Sequence, residues 1–163
     1  MNIRFFIIIA LSICANLNIF SQERKNAVAN RVNEAPVIDG ILNDNAWVTA
    51  ESNTDFYMLR PSNVGLARSS HPTTIKIIYD DDAVYFAASM LDPNGKNIAS
   101  EISQRDDFYE KKTDFIGISL NPYNDDINFL SFIVTSAGTI ADMKSVRDYD
   151  EGDSNFDAVF DAK

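Results

Sequence analysis

Residues 73–91 read TTIKIIYDDDAVYFAASML, and the pattern of this stretch predicts β-structure. Its first seven residues alternate between two faces, a period of two that is typical of a strand. One face carries Ile75, Ile77 and Tyr79, and the other carries Lys76 and Ile78. Residues 84–91 are apolar on both faces, as expected of a central strand that is covered on each side. The short polar connection Asp80-Asp81-Asp82 makes the two strands a predicted hairpin.

The same pattern recurs further along the chain. Phe115–Leu120 and Asn128–Thr135 are predicted strands joined by residues 121–126, NPYNDD. The turn Ser136-Ala137-Gly138 then leads into a further short strand at residues 139–143. Several short strands separated by turn residues predict an all-β fold, an antiparallel β-sandwich.

The segments on either side of these strands are less regular. Residues 36–40, PVIDG, carry turn signals, and Asn43 or Asp44 is expected to cap one short helix near residues 44–50. At the other end, residues 156–163, FDAVFDAK, have the pattern of a strand with no closing element after it. We therefore expect a domain over residues 27–163 that is truncated at its C-terminus.

The first 21 residues have the organisation of a removable secretory signal. Arg4 precedes the apolar run of residues 5–13, and the segment ends in the small residue Ser21. A membrane-spanning helix needs about 20 apolar residues, and residues 14–18 interrupt the run too early. We expect cleavage after Ser21, a polar leader at 22–26, and export to the periplasm, the outer membrane or the medium. A lipoprotein processed at Cys14, in the sequence LSIC, is the alternative.

Charge limits the ligands of the mature chain. Without residues 1–21, which contain Arg4 and the single cysteine Cys14, 13 basic residues face 24 acidic ones, a net charge of −11. So acidic a chain repels the phosphates of nucleic acid and of anionic membranes. Neutral ligands and cations remain as expected partners.

Four stretches resemble the family 9 carbohydrate-binding module, as it occurs at the N-terminus of large exported bacterial proteins. They are residues 36–47 (PVIDGILNDNAW), 77–85 (IIYDDDAVY), 113–123 (TDFIGISLNPY) and 156–162 (FDAVFDA). The resemblance implies a β-sandwich, a sugar ligand, structural calcium in some members, and a link to polysaccharide breakdown or uptake. It also implies that Trp47, the only tryptophan, belongs to the shared structural motif, so we expect Trp47 in the core.

Aromatic residues in loops are the candidates for stacking on a sugar, since an apolar ring beside a few polar groups suits a small-ligand site. The candidate carbohydrate-binding residues are Phe108, Tyr109, Tyr123 and Tyr149. Packing over the ends of the sandwich is the alternative role for each of them.

Acidic residues suggest a calcium site. In DYDEGDSN, residues 148–155, the carboxylates of Asp148, Asp150 and Asp153 can converge on one ion, because Ca²⁺ takes six to eight oxygen ligands. The runs Asp80-Asp81-Asp82 and Asn124-Asp125-Asp126 are shorter alternatives, and solvated turns are the plain explanation for all three.

Catalytic chemistry has little support in the sequence. The only histidine, His71, precedes Pro72 in a polar stretch, so neither a catalytic triad nor a histidine-ligated zinc site can be assembled. The leading interpretation is a non-catalytic module that binds a neutral oligo- or polysaccharide. A structural domain that docks on a downstream β-rich region of the same chain is the alternative, and a hydrolase is the weakest.

Cleavage after Ser21 predicts a mature chain that begins at Gln22, in cyclised form. Mass spectrometry of the exported protein should find this N-terminus and no lipid. An intact Met1, or a lipid attached to Cys14, would contradict the signal-peptide interpretation.

Overall fold

The computed structural model describes residues 25–54, 56, 71–93, 95, 98–147, 152–153 and 155–163. These residues form six strands and one 3₁₀ helix: β1 (Asn30–Arg31), the 3₁₀ helix (Asn45–Trp47), β2 (Thr73–Tyr79), β3 (Val84–Met90), β4 (Phe115–Leu120), β5 (Asn128–Thr135) and β6 (Ile140–Val146). The strands make two three-stranded sheets, in the orders β1-β2-β3 and β4-β5-β6. The predicted all-β fold is confirmed. In the described part of the chain, no helix is long and apolar enough to span a membrane.

The first sheet is built on the predicted hairpin. β2 and β3 are antiparallel, with Thr73 opposite Met90 and Tyr79 opposite Val84. On its other side β2 pairs in parallel with β1, and Asn53 forms a further bridge to Ile75. Among the described residues the central strand is therefore β2, and the prediction that residues 84–91 are central is wrong, because β3 lies at the edge of the described sheet. Apolar residues on both faces of a strand do not determine which strands flank it.

The connection between β2 and β3 is fixed by the carboxylate of Asp80. Its Oδ1 accepts hydrogen bonds from the backbone N–H groups of Asp82 and Ala83, each at 2.8 Å, and its Oδ2 accepts one from the Tyr85 hydroxyl at 2.8 Å. These bonds, the one from Asp82 first, lower the pKa of Asp80, and the bond to Asp80 raises the pKa of Tyr85. Asp80 therefore serves as a turn residue that bonds to the backbone two and three residues on.

The second sheet has two antiparallel pairings in sequence order. Phe115 lies opposite Thr135 at one end of β4, and Val134 lies opposite Ile140 where β6 begins. β6 extends to Val146, three residues beyond the predicted end at 143, and Arg147 N–H donates to the carbonyl of Ile127 at 2.7 Å. Residues 144–146 thus continue the pairing of β6 with β5.

The turn between β4 and β5 is fixed in the same way as the turn of the first hairpin, by the carboxylate of one aspartate. Asp125 Oδ1 accepts from the backbone N–H groups of Ile127 and Asn128, both at 2.9 Å, and its Oδ2 accepts from the Asn128 side chain at 2.6 Å. These bonds, led by the Asn128 N–H, lower the pKa of Asp125 to about 2. Because the folded-state pKa lies below the ordinary value of 3.8, the stabilisation is present above that value and is lost as the pH falls towards 2.

Buried apolar residues form two clusters, one on each sheet. The first consists of Val32, Trp47, Ala50, Ile78 and Ala87, and the second of Phe108, Ile133 and Ala141. Trp47 is 4% exposed, so its predicted place in the core is confirmed. Its backbone carbonyl also accepts a hydrogen bond from Lys76 Nζ at 2.8 Å, which ties the 3₁₀ helix to the middle of β2.

The helix near residues 44–50 is shorter than predicted. It is a single 3₁₀ turn, Asn45–Trp47, and Asp44 occupies the N-cap position without a side-chain capping bond. Val48 N–H bonds to the carbonyl of Asn45 at 3.1 Å, the i to i+3 pattern of a 3₁₀ helix. Burial of Trp47, more than helix propensity, holds this turn in place.

The prediction of a strand at residues 156–163 is wrong for the structure described. No residue of this segment belongs to a strand. The physical reason is that Ala158 N–H donates to the side chain of Asp142 at 2.6 Å instead of to a neighbouring backbone.

Replacing Trp47 by alanine should lower the free energy of unfolding by about 3–5 kcal/mol, because a buried ring leaves a cavity over β2. Val48→Ala is the matched control, since Val48 is the next residue and is 74% exposed. It should change stability by no more than about 0.5 kcal/mol. Urea unfolding measures both, and equal losses would contradict the assignment of Trp47 as the anchor of the first cluster.

Candidate functional site

The two faces of the second sheet differ in charge. Residues opposite each other in an antiparallel pair share a face, so the register assigns one face to the odd-numbered positions. That face consists of Phe115, Gly117, Ser119, Phe129, Ser131, Ile133, Thr135, Ala141, Met143 and Ser145. None of these residues is charged, although the whole chain carries a net charge of −10. The charged residues of the three strands, Asp142 and Lys144, fall on the other face.

One row across this uncharged face carries hydroxyl groups. Ser119 on β4 lies opposite Ser131 on β5, which in turn lies opposite Met143 on β6. The two serine Oγ atoms are 2.7 Å apart and hydrogen-bonded to each other. Since neighbouring strands are about 4.8 Å apart, the three side chains span roughly 10 Å.

The loop before β4 supplies the aromatic part of the site. Phe108 is 2% exposed and packs in the second cluster with Ile133 and Ala141, so it presents no free face to a ligand. Phe108 packs on the face of the second sheet, whereas the alternative role expected from the sequence was packing over the ends of a sandwich. Its ring stacks on that of Tyr109 with centroids 4.3 Å apart and meets Phe115 edge-on at 5.2 Å.

Tyr109 lies on the surface above this support. It is 71% exposed, and its hydroxyl lies 3.6 Å from Met143 Sδ. The ring of Tyr109 is thus placed at the β6 end of the row that continues to Ser131 and Ser119. We call Tyr109, Ser119, Ser131 and Met143 the serine–tyrosine face.

Two glycines lie close to side chains of this face. A Cβ at Gly117 would lie 3.3 Å from Ile133 Cγ1, and a Cβ at Gly152 would lie 3.0 Å from Met143 Sδ. Next to Gly152, Asp153 bridges to Lys144 through N–H···O bonds of 2.7 and 3.2 Å. The chain after β6 therefore returns alongside β6, and Gly152 lies next to the Met143 side chain.

The other predicted sugar-binding residues are not brought to this face by any described contact. Tyr123 is 72% exposed in the turn after β4, and no ring contact joins it to Tyr109 among the described residues. Tyr149 lies outside the described residues. Ser119 and Ser131 were not predicted as candidate residues from the sequence. The signal that could have identified them is a hydroxyl residue within an otherwise apolar strand.

Of the three residues predicted to hold calcium, only Asp153 is described, and Asp148 and Asp150 lie outside the described residues. Asp153 Oδ1 accepts bonds from the N–H and the side-chain amide of Asn155 at 3.0 and 3.2 Å. Within the described ranges, no group of three histidine, cysteine or acidic residues is arranged to hold a metal. In the two shorter acidic runs, the carboxylates of Asp80 and Asp125 already accept turn hydrogen bonds.

No family model, curated protein or solved structure matches this chain. The resemblance of its four stretches to the family 9 carbohydrate-binding module therefore stays a prediction. Its function is inferred from the serine–tyrosine face and the charge around it.

Proposed function

We propose that this chain is a non-catalytic carbohydrate-binding domain of an exported protein linked to polysaccharide breakdown or uptake. Its ligand is a neutral oligo- or polysaccharide, and the binding surface is the serine–tyrosine face. The observation that carries the proposal is an uncharged sheet face, with one exposed tyrosine and a pair of hydroxyls, in a chain of net charge −10.

The chemistry of this face suits a sugar ring. A tyrosine ring offers an apolar surface that can cover the C–H groups of a pyranose. Each serine hydroxyl has one donor and two acceptor sites, so the bond between Ser119 and Ser131 leaves capacity for ligand hydroxyls. The acidic remainder of the chain disfavours anionic ligands at the same place.

We also propose that the two sheets are the layers of a β-sandwich of the family 9 type. Each sheet has a second face, opposite its buried cluster, that carries half-buried apolar side chains. These side chains are Ile75, Ile77, Phe86 and Ala88 in the first sheet, and Ile116, Ile118, Leu130, Phe132 and Val134 in the second. Packing of these faces about 10 Å apart would bury both, as in other sandwiches.

A docking domain is the second candidate function. Val37, Ile41, Val48 and Val159 are exposed apolar side chains outside the two sheets. Exposed apolar surface favours an interaction with another polypeptide, and a downstream β-rich region of the same chain is the partner expected from the sequence.

If the serine–tyrosine face binds a neutral glycan, Tyr109→Ala should weaken the affinity by up to about tenfold, because ring stacking contributes about 0.5–1.5 kcal/mol beyond area burial. Ser119→Ala should cost roughly two- to tenfold through a lost hydrogen bond. Tyr109→Phe keeps the ring and should bind nearly as well as the natural chain. A glycan array followed by calorimetry on the mature protein makes the measurement.

The controls separate binding from folding. Ser89→Ala removes an exposed serine from the other sheet and should leave affinity unchanged. Each variant should also keep the natural melting temperature. The proposal is wrong if no neutral glycan binds, or if Tyr109→Ala and Ser119→Ala bind it as tightly as the natural chain.

Calcium is a separate proposal, for a structural ion held by Asp148, Asp150 and Asp153. A ligand bound only by the native state stabilises it by mass action, so millimolar Ca²⁺ should raise the melting temperature and a chelator should lower it. Asp150→Asn should reduce the shift, whereas Asp81→Asn, in an exposed pair with Arg31, should not. Melting curves that coincide with and without Ca²⁺ count against the site.

A further inference from the structure

Residues 156–163 follow the second sheet without joining a strand. Their exposure alternates at every residue: Phe156, Ala158, Phe160 and Ala162 are half-buried, and Asp157, Val159, Asp161 and Lys163 are exposed. This is the period of a strand, yet the segment belongs to no ladder. Side chains from elsewhere in the chain must therefore hold it.

The principal anchor is an ion pair with one buried partner. The side chain of Asp142 on β6 is completely buried, and its Oδ1 pairs with Arg105 Nη2. The same guanidinium group contacts Asp157 Oδ1 at 2.7 Å and the carbonyl of Ala158 at 3.3 Å. Asp142 Oδ2 accepts the Ala158 N–H at 2.6 Å. Both backbone polar groups of Ala158 are thus bound by this clamp, which we define as Arg105 and Asp142.

Aromatic contacts complete the docking. The ring of Phe160 meets Phe132 on β5 edge-on, with centroids 5.2 Å apart. Arg105 Cζ lies 5.9 Å from the centroid of Phe160, within the range of a cation–π contact. Arg105 therefore contacts the segment in three ways, through an ion pair with Asp157, a hydrogen bond to the Ala158 carbonyl and a cation–π contact with Phe160.

The far end of the segment reaches the turn that precedes Trp47. Gly40 has a φ of +82°, and a Cβ built there would lie 3.5 Å from the carbonyl carbon of Lys163. One short segment thus contacts β5 and β6 of the second sheet and the turn leading into the first cluster.

We propose that residues 156–163 are a strap, docked by the clamp of Arg105 and Asp142, that releases as a unit while β4, β5 and β6 stay paired. If residues 156–163 were hydrogen-bonded to a neighbouring strand, their release would require the sheet to unpair as well. Among the described residues, no such strand pairing involves the strap. Both backbone polar groups of Ala158 are held by the clamp, so these two contacts are lost together when the strap releases. Release separates Phe160 from Phe132 and Lys163 from Gly40.

Amide exchange measured by NMR on the full chain tests this. In Arg105→Met the Ala158 amide should exchange about tenfold faster than in the natural chain, an effect kept modest because Arg105 is itself 38% exposed. Amides of Phe132 and Ile133 on β5 should keep their natural rates. Asp157→Asn removes only the negative charge of the exposed partner of Arg105. It should accelerate exchange of the Ala158 amide by less than Arg105→Met does.

Arg31→Met is the matched control, because Arg31 forms an exposed ion pair with Asp81 at 2.6 Å. It should leave the Ala158 amide unchanged. The strap proposal is wrong if Arg105→Met leaves the exchange rate of the Ala158 amide unchanged. It is equally wrong if Arg105→Met accelerates the β5 amides as much as Ala158, because the segment would then unfold only with the sheet.

Discussion

A three-stranded sheet has two faces to cover, and each sheet here covers one of them with a single aromatic residue from a neighbouring segment. Trp47 covers the face of β2 that carries Ile78, and Phe108 covers Ile133 and Ala141 on β5 and β6. These two contacts determine which sheet surfaces are not covered by Trp47 or Phe108. Apart from the contact of Phe160 with Phe132, the opposite faces are those that the proposed sandwich would pack together. The part of the second sheet beyond Phe108 is the proposed binding surface.

The acidity of the chain is partly explained by its turns. Asp80 and Asp125 occupy equivalent places in two hairpins, and each carboxylate bonds to the backbone two and three residues later. Asp142 is buried for a different reason, as the partner of Arg105. In this acidic chain the odd-numbered face of β4 to β6 carries no charged residue. This distribution of charge supports the proposal of a neutral ligand.

Much of the β-structure could be predicted from the sequence because its signals are local. Alternation and turn residues gave β2, β4 and β5 with the bounds that the structure has, and they gave the β2–β3 hairpin. Trp47 was also placed in the core. The position of β3 at a sheet edge could not be predicted, because the neighbours of a strand depend on distant segments.

The site was harder to predict, for physical reasons. Phe108 and Tyr109 are adjacent aromatic residues, and only the path of the loop decides which of them is buried. Ser119 and Ser131 become one site through strand register, which a single sequence does not specify. Residues 156–163 have the period of a strand, but a ladder also needs a partner backbone, and the side chain of Asp142 takes the Ala158 N–H instead.

Methionine methyl NMR gives the most direct test of the proposed binding surface. Met143 lies under Tyr109 in the serine–tyrosine face, whereas Met90 is exposed on β3 of the other sheet. On titration with a neutral oligosaccharide, we expect the Met143 methyl resonance to shift and saturate while that of Met90 stays in place. A ligand that saturates the protein without moving the Met143 resonance would contradict the assignment of the serine–tyrosine face as the binding site.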